Sequence, residues 1–399
     1  MKSLKVFLCV LALLVGVLGG AAGNIYANLP KTEELIETEE VFYSSNTNST
    51  VTTNPLTGAK DELSIHFLEL GNKYTGDCTF IKIGDVDILI DCGSRTNSIA
   101  TVSNYLNRYV TDNTLEYVIV THAHQDHYAG FATTTKVESI FDLYKCKTII
   151  DFGNATNQKD SSTMYQNYLR ELNDEVTNGA KHYSAYDCFY ENNGASKVFT
   201  IDAENNVTLE ILYNYYYKYN RNLDTQANKA FKASSENDYS VCCLLTHGSK
   251  HFLFTGDLES DGESKMVDYY NSTGNPLPEV DVYKAGHHGS KTSSSEKLLN
   301  VIKPKTVCVC CCAGSPEYTK TNNNQFPTQD FITRISKYTT QVYVTTLCVD
   351  YEKDNYESFN GNIVVVSINV NQITINCSAS STILKDSEWF KANRTWPTN

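Results

Sequence analysis

Four side chains able to bind a metal ion fall within six residues: His122, His124, Asp126 and His127. Two histidines two residues apart in an extended segment point to the same side, so both imidazoles can reach one cation. If a helix begins directly afterwards, Asp126 and His127 turn towards a neighbouring position. The pattern predicts a site for two divalent cations about 3.5–4 Å apart. Imidazole and carboxylate ligands favour Zn²⁺, with Mn²⁺ as the alternative.

A carboxylate further along the chain stands in a similar setting. Asp257 follows the apolar run Phe252–Phe254 and the pair Thr255-Gly256. A carboxylate at the end of a buried strand can bridge two cations, which offsets the cost of burying its charge. The alternative is that Asp257 caps the polar helix predicted from about Ser260. Beside the histidine cluster, the bridging role is favoured.

Two adjacent histidines, His287 and His288, lie between Gly286 and Gly289. The glycines allow the backbone to turn sharply. One imidazole is expected to complete a metal shell and the other to hydrogen-bond an anionic group of a substrate, and the spacing does not assign the two roles. Lys291 adds a positive charge nearby, and we expect it to help the second histidine to stabilise or protonate the leaving side.

Each of these motifs follows a predicted strand. Tyr117–Val120 leads into the first motif, and Val280–Lys284 leads into the histidine pair. Strands and helices alternate in both halves of the chain, which predicts a mixed α and β fold. Open sheets of this class carry functional groups where strands end. Residues 200–233 are rich in tyrosine and asparagine, and the sequence leaves open whether they form an insertion with its own strands.

The amino terminus is typical of a secretory signal. A short basic start precedes the apolar stretch Val6–Leu18, and small residues follow. This pattern predicts a signal peptide over residues 1–27 and a secreted or extracellular surface location. An uncleaved membrane anchor is the alternative, although the apolar stretch is shorter than the roughly 20 residues that span a bilayer. Residues 28–61 are polar and are predicted to form a leader or linker.

The charge of the chain limits its partners. The formal net charge is −13, which argues against a general electrostatic grip on nucleic acid and predicts no stable nucleic-acid partner. Bound metal cations can reverse the local field, so a phosphodiester substrate is still compatible with this charge.

The chain contains 13 cysteines, and an exported chain is expected to form some disulfides. Cys78 and Cys92 lie on predicted neighbouring strands and are candidates for one pair. Residues 307–312 instead resemble a buried strand that uses cysteine as a small apolar residue. A zinc–thiolate site is the alternative for that run, but no paired CxxC spacing accompanies it.

The motifs and their order resemble those of the metallo-β-lactamase superfamily. Its HxHxDH signature matches the first cluster, and the later motifs look like the branch that contains ComEC-type DNA-uptake proteins and secreted choline-phosphate esterases. The segments that carry this resemblance are His122–His127, Thr255–Asp257, Gly286–Ser293, Leu63–Leu68 and Asn237–Ser240. The resemblance implies a four-layer αββα sandwich, with a hydrolase domain over residues 62–377 and a tail over residues 378–399.

Two features depart from the pattern of this family. The superfamily often supplies a third histidine to the first metal, but none of the mid-chain histidines His182, His247 and His251 sits in a convincing motif. The branch often carries a His-Pro pair where this chain has Phe326-Pro327. The shell of the first metal and the substrate pocket are therefore expected to differ.

The resemblance implies metal-assisted hydrolysis, most simply of a phosphodiester in nucleic acid or in a choline-phosphate ester. His122 and His124 are expected to hold the first metal. The expected ligands of the second metal are Asp126, His127 and one of His287 and His288, with Asp257 bridging. The residues expected to act in catalysis are Asp126, Asp257, His288 and Lys291. Lactone or amide hydrolysis and a non-catalytic metal-binding surface protein are the alternatives.

Overall fold

The computed structural model describes residues 40–45, 51–134, 137–153, 162–368 and 372–398. The predicted signal peptide and residues 28–39 of the predicted leader lie outside these described residues. Among the helices of the described ranges, none combines the length and the apolar character needed to cross a membrane.

The first sheet contains ten described strands. In spatial order they are β2 (Val51–Thr52), β1 (Phe42–Ser44), β18 (Gln372–Cys377), β17 (Ile363–Ile368), β3 (Leu63–Phe67), β4 (Thr79–Ile83), β5 (Val86–Ile90), β6 (Thr114–Val120), β7 (Lys145–Asp151) and β8 (Lys181–Ser184). Strands β5 to β8 are parallel, and the other neighbours are antiparallel. Strands β4 and β5 form a hairpin with its turn at Gly84-Asp85.

The second sheet contains eight described strands. In spatial order they are β16 (Asn355–Ser358), β15 (Val342–Asp350), β14 (Thr306–Ala313), β13 (Val282–Lys284), β12 (Lys250–Phe254), β11 (Cys243–His247), β10 (Val207–Ile211) and β9 (Val198–Asp202). Strand β10 pairs with β11, and Leu209 lies opposite Leu245. The segment left open as an insertion therefore supplies strands to this sheet.

The described helices are short, and the longer ones bury one apolar face. They are α1 (Ser98–Leu106), α2 (Gln125–Tyr128), α3 (Ile140–Leu143), α4 (Thr163–Thr177), α5 (Ala185–Tyr190), α6 (Gln226–Lys229), α7 (Ser260–Ser272), α8 (Glu296–Ile302), α9 (Gln329–Ile335) and α10 (Glu388–Asn393). In α1 the buried residues Ile99, Val102 and Leu106 recur at helical spacing.

The two sheets share one hydrophobic core. The ring of Phe67 on β3 lies 6.3 Å from that of Phe254 on β12, and the ring of Tyr117 on β6 lies 5.6 Å from that of Phe199 on β9. Such face-to-face contacts bury the inner surfaces of both sheets together. The predicted fold class is confirmed: the chain is a mixed α and β protein with two large sheets and helices.

The packed structure extends beyond both predicted domain boundaries, at residues 62 and 377. Tyr43 on β1 pairs with Cys377, and Phe42 packs on Val364. In the predicted tail, Leu384 and Phe390 are buried in the main core. Such short strands and one-turn helices produce no sustained periodicity, so the sequence pattern did not reveal them.

The cysteines in the described ranges are free thiols. Cys78 and Cys92 are both buried but form no disulfide, so the candidate pair is not present in this structure. Cys308, Cys310 and their neighbours on β14 are buried in the core, as the apolar interpretation of residues 307–312 predicts.

Candidate metal centre

The predicted site residues converge between the ends of strands from both sheets. Strand β6 leads to the first histidine motif, β12 leads to Asp257, and β13 leads to the histidine pair. Donor atoms of Asp77, His127, Asp257 and His288 all lie within 4.8 Å of one another. The four side chains are buried. Segments far apart in the chain therefore meet at one polar centre.

His122 and His124 lie side by side at this centre. The Nδ1 atom of His122 lies 3.1 Å from Thr121 Oγ1 and 3.4 Å from Ser240 Oγ. Its Nε2 atom lies 3.0 Å from His124 Nδ1 and 3.9 Å from Asp257 Oδ2. The two imidazoles therefore face one position beside the Asp257 carboxylate, as expected of two ligands of one cation.

His127 is held by a buried carboxylate behind it. Its Nδ1 atom donates to Asp91 Oδ2 at 2.8 Å, and Asp91 also accepts hydrogen bonds from the amide and the hydroxyl of Thr121. Its Nε2 atom lies 3.2 Å from Asp257 Oδ2. A carboxylate on the far nitrogen of a histidine fixes the ring and raises its basicity as a ligand.

The structure separates the roles of the two adjacent histidines. The Nδ1 atom of His288 lies 2.9 Å from the Cys310 carbonyl oxygen, which fixes the proton on Nδ1. Its Nε2 atom lies 3.4 Å from both Asp126 Oδ2 and Asp257 Oδ2. His287 is partly exposed, and its Nδ1 atom lies 3.1 Å from Thr292 Oγ1. The geometry favours His288 as the ligand and places His287 at the rim.

The backbone turn at this pair is made by the histidines themselves. His287 and His288 have φ values of 47° and 53°, a left-handed conformation that is costly for residues with a side chain. Of the two flanking glycines, Gly289 has a positive φ. Strain of this kind occurs at functional sites, where the surrounding structure holds it in place.

The sequence pattern missed two buried charges at the centre, Asp77 and Lys284. The Lys284 ammonium contacts Asp77 and lies 3.9 Å from Asp257 Oδ1, and Asp77 Oδ1 lies 3.2 Å from His288 Nδ1. Lys284 is the last residue of the buried strand β13. A lysine in an otherwise apolar strand was the available signal, because such a charge is buried only when it is paired.

The donor set fits metal cations. His127 Nε2, His288 Nε2 and Asp257 Oδ1 are buried and find no hydrogen-bond partner among the described residues. Buried polar atoms without partners are costly, and a small set of them facing each other needs an explanation. Nitrogen and carboxylate oxygen are suitable ligands for divalent metals such as Zn²⁺ and Mn²⁺.

Comparison with known sequences identifies the domain. A family model described as the metallo-β-lactamase superfamily matches residues 71–137 and 236–313, which hold the histidine motif and Asp257. The chain contains a metallo-β-lactamase superfamily domain. The predicted family resemblance is therefore confirmed.

Relatives of this metallo-β-lactamase domain include bacterial proteins named for competence and for recombination. ComE operon protein 3 of Bacillus subtilis (strain 168) is 30% identical over 112 residues, which are 28% of this chain and 13% of that protein. Recombination protein 2 of Haemophilus influenzae is 29% identical over 113 residues, which are also 28% and 13% of the two chains. The chain therefore spans about an eighth of the length of these relatives, and the match covers the domain rather than the whole proteins.

Solved structures similar to this domain include the metallo-β-lactamase fold protein YhfI from Bacillus subtilis. It has a TM-score of 0.38 and 10% identity, and the match covers 77% of this chain and all of YhfI. The short form of human tRNase Z has a TM-score of 0.30 and 12% identity, with 70% and 91% of the two chains covered.

When no metal is bound, the carboxylates at this centre of the metallo-β-lactamase domain favour the protonated forms of His127 and His288. Burial lowers the pKa of His288, but the negative charges of Asp257 and Asp77 outweigh burial and raise the pKa to about 10. Burial also opposes the charged form of His127, yet Asp257 and Asp91 raise its pKa well above the ordinary value. Metal ions and protons therefore compete for the same imidazole nitrogens.

Some sequence-predicted residues of the metallo-β-lactamase domain lie away from the centre. The Lys291 side chain is exposed, so its catalytic role stays a prediction. His182 pairs with Asp151, His247 lies against Ser367, and His251 lies against Thr246. Among the described residues, no mid-chain histidine therefore occupies the place of the family's third ligand.

Aromatic side chains line the rim of the centre where the branch often has a His-Pro pair. The ring of Phe326 lies 5.6 Å from the ring of His287 and 5.7 Å from that of His288. Tyr318 is largely exposed, and its hydroxyl donates to Asp126 Oδ2 at 2.9 Å. Beside His287, the mouth of the site therefore presents the apolar ring of Phe326 and the phenol hydroxyl of Tyr318.

Proposed function

We propose that this chain is a secreted, metal-dependent hydrolase that cleaves phosphodiester bonds with a two-metal centre. The observation that carries the proposal is the buried convergence of His127, His288 and Asp257, which each offer a donor atom within 4.8 Å of the others. His127 Nε2, His288 Nε2 and Asp257 Oδ1 have no hydrogen-bond partner among the described residues. The competence and recombination proteins among the relatives of the domain support a phosphodiester substrate. Secretion is proposed from the pattern of residues 1–27.

The charge at the centre also supports a monoanionic substrate. Four carboxylates, Asp77, Asp91, Asp126 and Asp257, surround the centre, and Lys284 is the buried cation beside them. With neutral histidines these groups carry about three negative charges, and two divalent cations would leave about one net positive charge. One phosphodiester anion balances that charge while the metal-bound water is neutral.

Each residue has a definite task in this proposal. His122 and His124 would hold the first cation, and Asp126, His127 and His288 would hold the second, with Asp257 between them. Bound divalent cations supply Lewis acidity and lower the pKa of water to near neutrality. Asp91 and the Cys310 carbonyl hold the Nδ1 protons of His127 and His288 and leave both Nε2 atoms free.

The rim residues are suited to the substrate itself. His287 Nε2 lies 3.7 Å from Asp257 Oδ2, so this imidazole borders the centre without being buried in it. It can donate a hydrogen bond to a phosphoryl oxygen. Phe326 packs beside both histidine rings and adds an apolar surface to the rim.

The proposal is tested by metal analysis and by hydrolysis of bis-p-nitrophenyl phosphate. We expect Asp257→Ala and His124→Ala to lower kcat/KM at least ~100-fold, because each removes a group that holds metal. His251→Ala is the matched control, since His251 lies outside the centre. Bound metal without turnover on any ester would instead favour a binding protein, and full activity of Asp257→Ala would refute the assigned site.

A further inference from the structure

Among the described residues, no third histidine joins His122 and His124 at the position proposed for the first cation. His122 and His124 face one position beside Asp257 Oδ2. The mid-chain histidines contact residues outside the centre. His182, for example, has its Nε2 atom 3.0 Å from Asp151 Oδ1. With the bridging Asp257 this cation would have three protein ligands, and a fourth protein donor at the place of the missing histidine would have to be of another residue type.

Asn237 carries a buried oxygen that has no assigned partner. Its side chain is 5% exposed, and its Oδ1 atom finds no hydrogen-bond partner in the described part of the chain. Its Nδ2 atom donates to Glu259 Oε1 at 3.1 Å, and Glu259 also accepts from Thr292 Oγ1 at 3.2 Å. The carboxylate fixes which end of the amide is nitrogen, so the oxygen is turned away from Glu259.

The backbone places this amide at the metal centre. Asn237 lies in the 3₁₀ turn Glu236–Tyr239. Ser240, the residue that follows this turn, contacts His122 Nδ1 and accepts a hydrogen bond from the Asp257 amide at 3.0 Å. Asn237 Nδ2 also lies 3.4 Å from His287 Nδ1, and the other nitrogen of that ring borders Asp257. The amide and the bridging carboxylate therefore contact the two nitrogens of the same His287 ring.

We propose that Asn237 Oδ1 binds the first cation in the place of the missing third histidine. The inference rests on the proposed two-metal function and names a ligand of that same centre. A neutral amide oxygen is a harder donor than imidazole, and harder donors favour Mn²⁺ over Zn²⁺. The first position is therefore less selective for Zn²⁺ than a three-histidine position.

The test is titration of the full metal-free chain with Zn²⁺ and with Mn²⁺, followed by calorimetry and elemental analysis. The wild-type chain is expected to bind two cations. Asn237→Leu keeps the shape of the side chain without its donor, and we expect it to weaken the first cation at least ~10-fold. Asn237→His is expected to increase the affinity for Zn²⁺ relative to Mn²⁺.

Two further variants separate binding from folding. Asn237→Asp keeps an oxygen donor and is expected to retain two cations. Asn228→Leu removes another buried asparagine, one that bonds only within residues 220–228, and is expected to bind metal normally. Unchanged affinity for both cations in folded Asn237→Leu overturns this inference alone. A wild-type chain that binds no cation overturns the proposed function and this inference together.

Discussion

The histidines of the centre are oriented by the groups behind them. His127 and His288 each give the Nδ1 proton to an acceptor, Asp91 or the Cys310 carbonyl, and Asp77 lies near both rings. Their Nε2 atoms are therefore free to bind metal. Rigid orientation of this kind lowers the entropy lost when a cation binds.

The buried pair of Asp77 and Lys284 is expected to act as a unit. Asp77→Asn leaves the Lys284 ammonium buried with weaker compensation, and loss of one partner of a buried ion pair costs about 3–5 kcal/mol. We therefore expect a large fall in the free energy of unfolding in urea. The double variant Asp77→Asn with Lys284→Met should recover part of that loss. Equal losses in the single and double variants would contradict this coupling.

The stability of the metal-free chain should depend on pH through His288. Its folded pKa of about 10 lies above the ordinary value of 6.5. The folded state therefore binds this proton more tightly than the unfolded state does. The resulting contribution to the free energy of unfolding is fully present below about pH 6.5. It is lost as the pH rises towards 10. Urea unfolding across this window should show the fall, and His288→Gln should reduce it, with the part due to His127 remaining.

The residue types explain which site residues the sequence could reveal. His122 to His127 are clustered, and imidazoles at that spacing have few structural uses. Asp77 lies outside every motif, and Asn237, although it begins the matched segment Asn237–Ser240, has no other ligand-type side chain at metal-ligand spacing. A single carboxylate or amide is usually a surface or capping group. Their role depends on which side chains meet them in space, and no local spacing shows that.

At the scale of elements, strand ends deliver the ligands and a close backbone contact aligns them. Gly93 follows β5, and a Cβ atom there would lie 1.6 Å from the carbonyl oxygen of Asp126. The segment after β5 therefore packs directly against the turn that carries the histidine motif. The longer strands were predicted because they are continuous apolar runs, whereas the two-residue strand β2 carries too few residues for a pattern.

Substitution of Gly93 should disturb the centre through this contact. In Gly93→Ala the added methyl group overlaps the Asp126 backbone, so the turn must shift and metal affinity should fall by ~10-fold or more. Gly179→Ala is the control, because a Cβ atom there meets nothing within 4 Å and only its positive φ is strained. Calorimetric titration with Zn²⁺ compares the two. Normal metal binding by Gly93→Ala would show that the contact does not align the ligands.

At the scale of the whole molecule, the carboxyl-terminal segment supports the rim of the site. Arg394 is buried and donates to the carbonyl oxygens of Pro327 at 3.0 Å and Gln325 at 2.8 Å, on either side of Phe326. The sequence pattern predicted a tail here because its elements are short. Contact with a distant loop, which only the folded chain reveals, makes this segment part of the domain.

Loss of this support should affect substrate binding more than metal binding. Arg394→Met removes the donors that hold the Phe326 backbone, so we expect KM to rise several-fold while the metal content stays at the wild-type value. Lys391→Met is a suitable control, because Lys391 pairs with the exposed Glu388 on the surface. A fall in metal content with unchanged KM would contradict the proposed role of the segment.

The central claim is that this chain hydrolyses phosphodiesters with two bound cations. The most direct test removes metal from the intact protein with a chelator, measures bis-p-nitrophenyl phosphate hydrolysis, and then restores Zn²⁺ or Mn²⁺ stepwise. We predict that activity disappears with the metal and returns fully only when about two equivalents are bound. Undiminished hydrolysis by the metal-free protein, or a restored protein that cleaves no phosphodiester, would contradict the account.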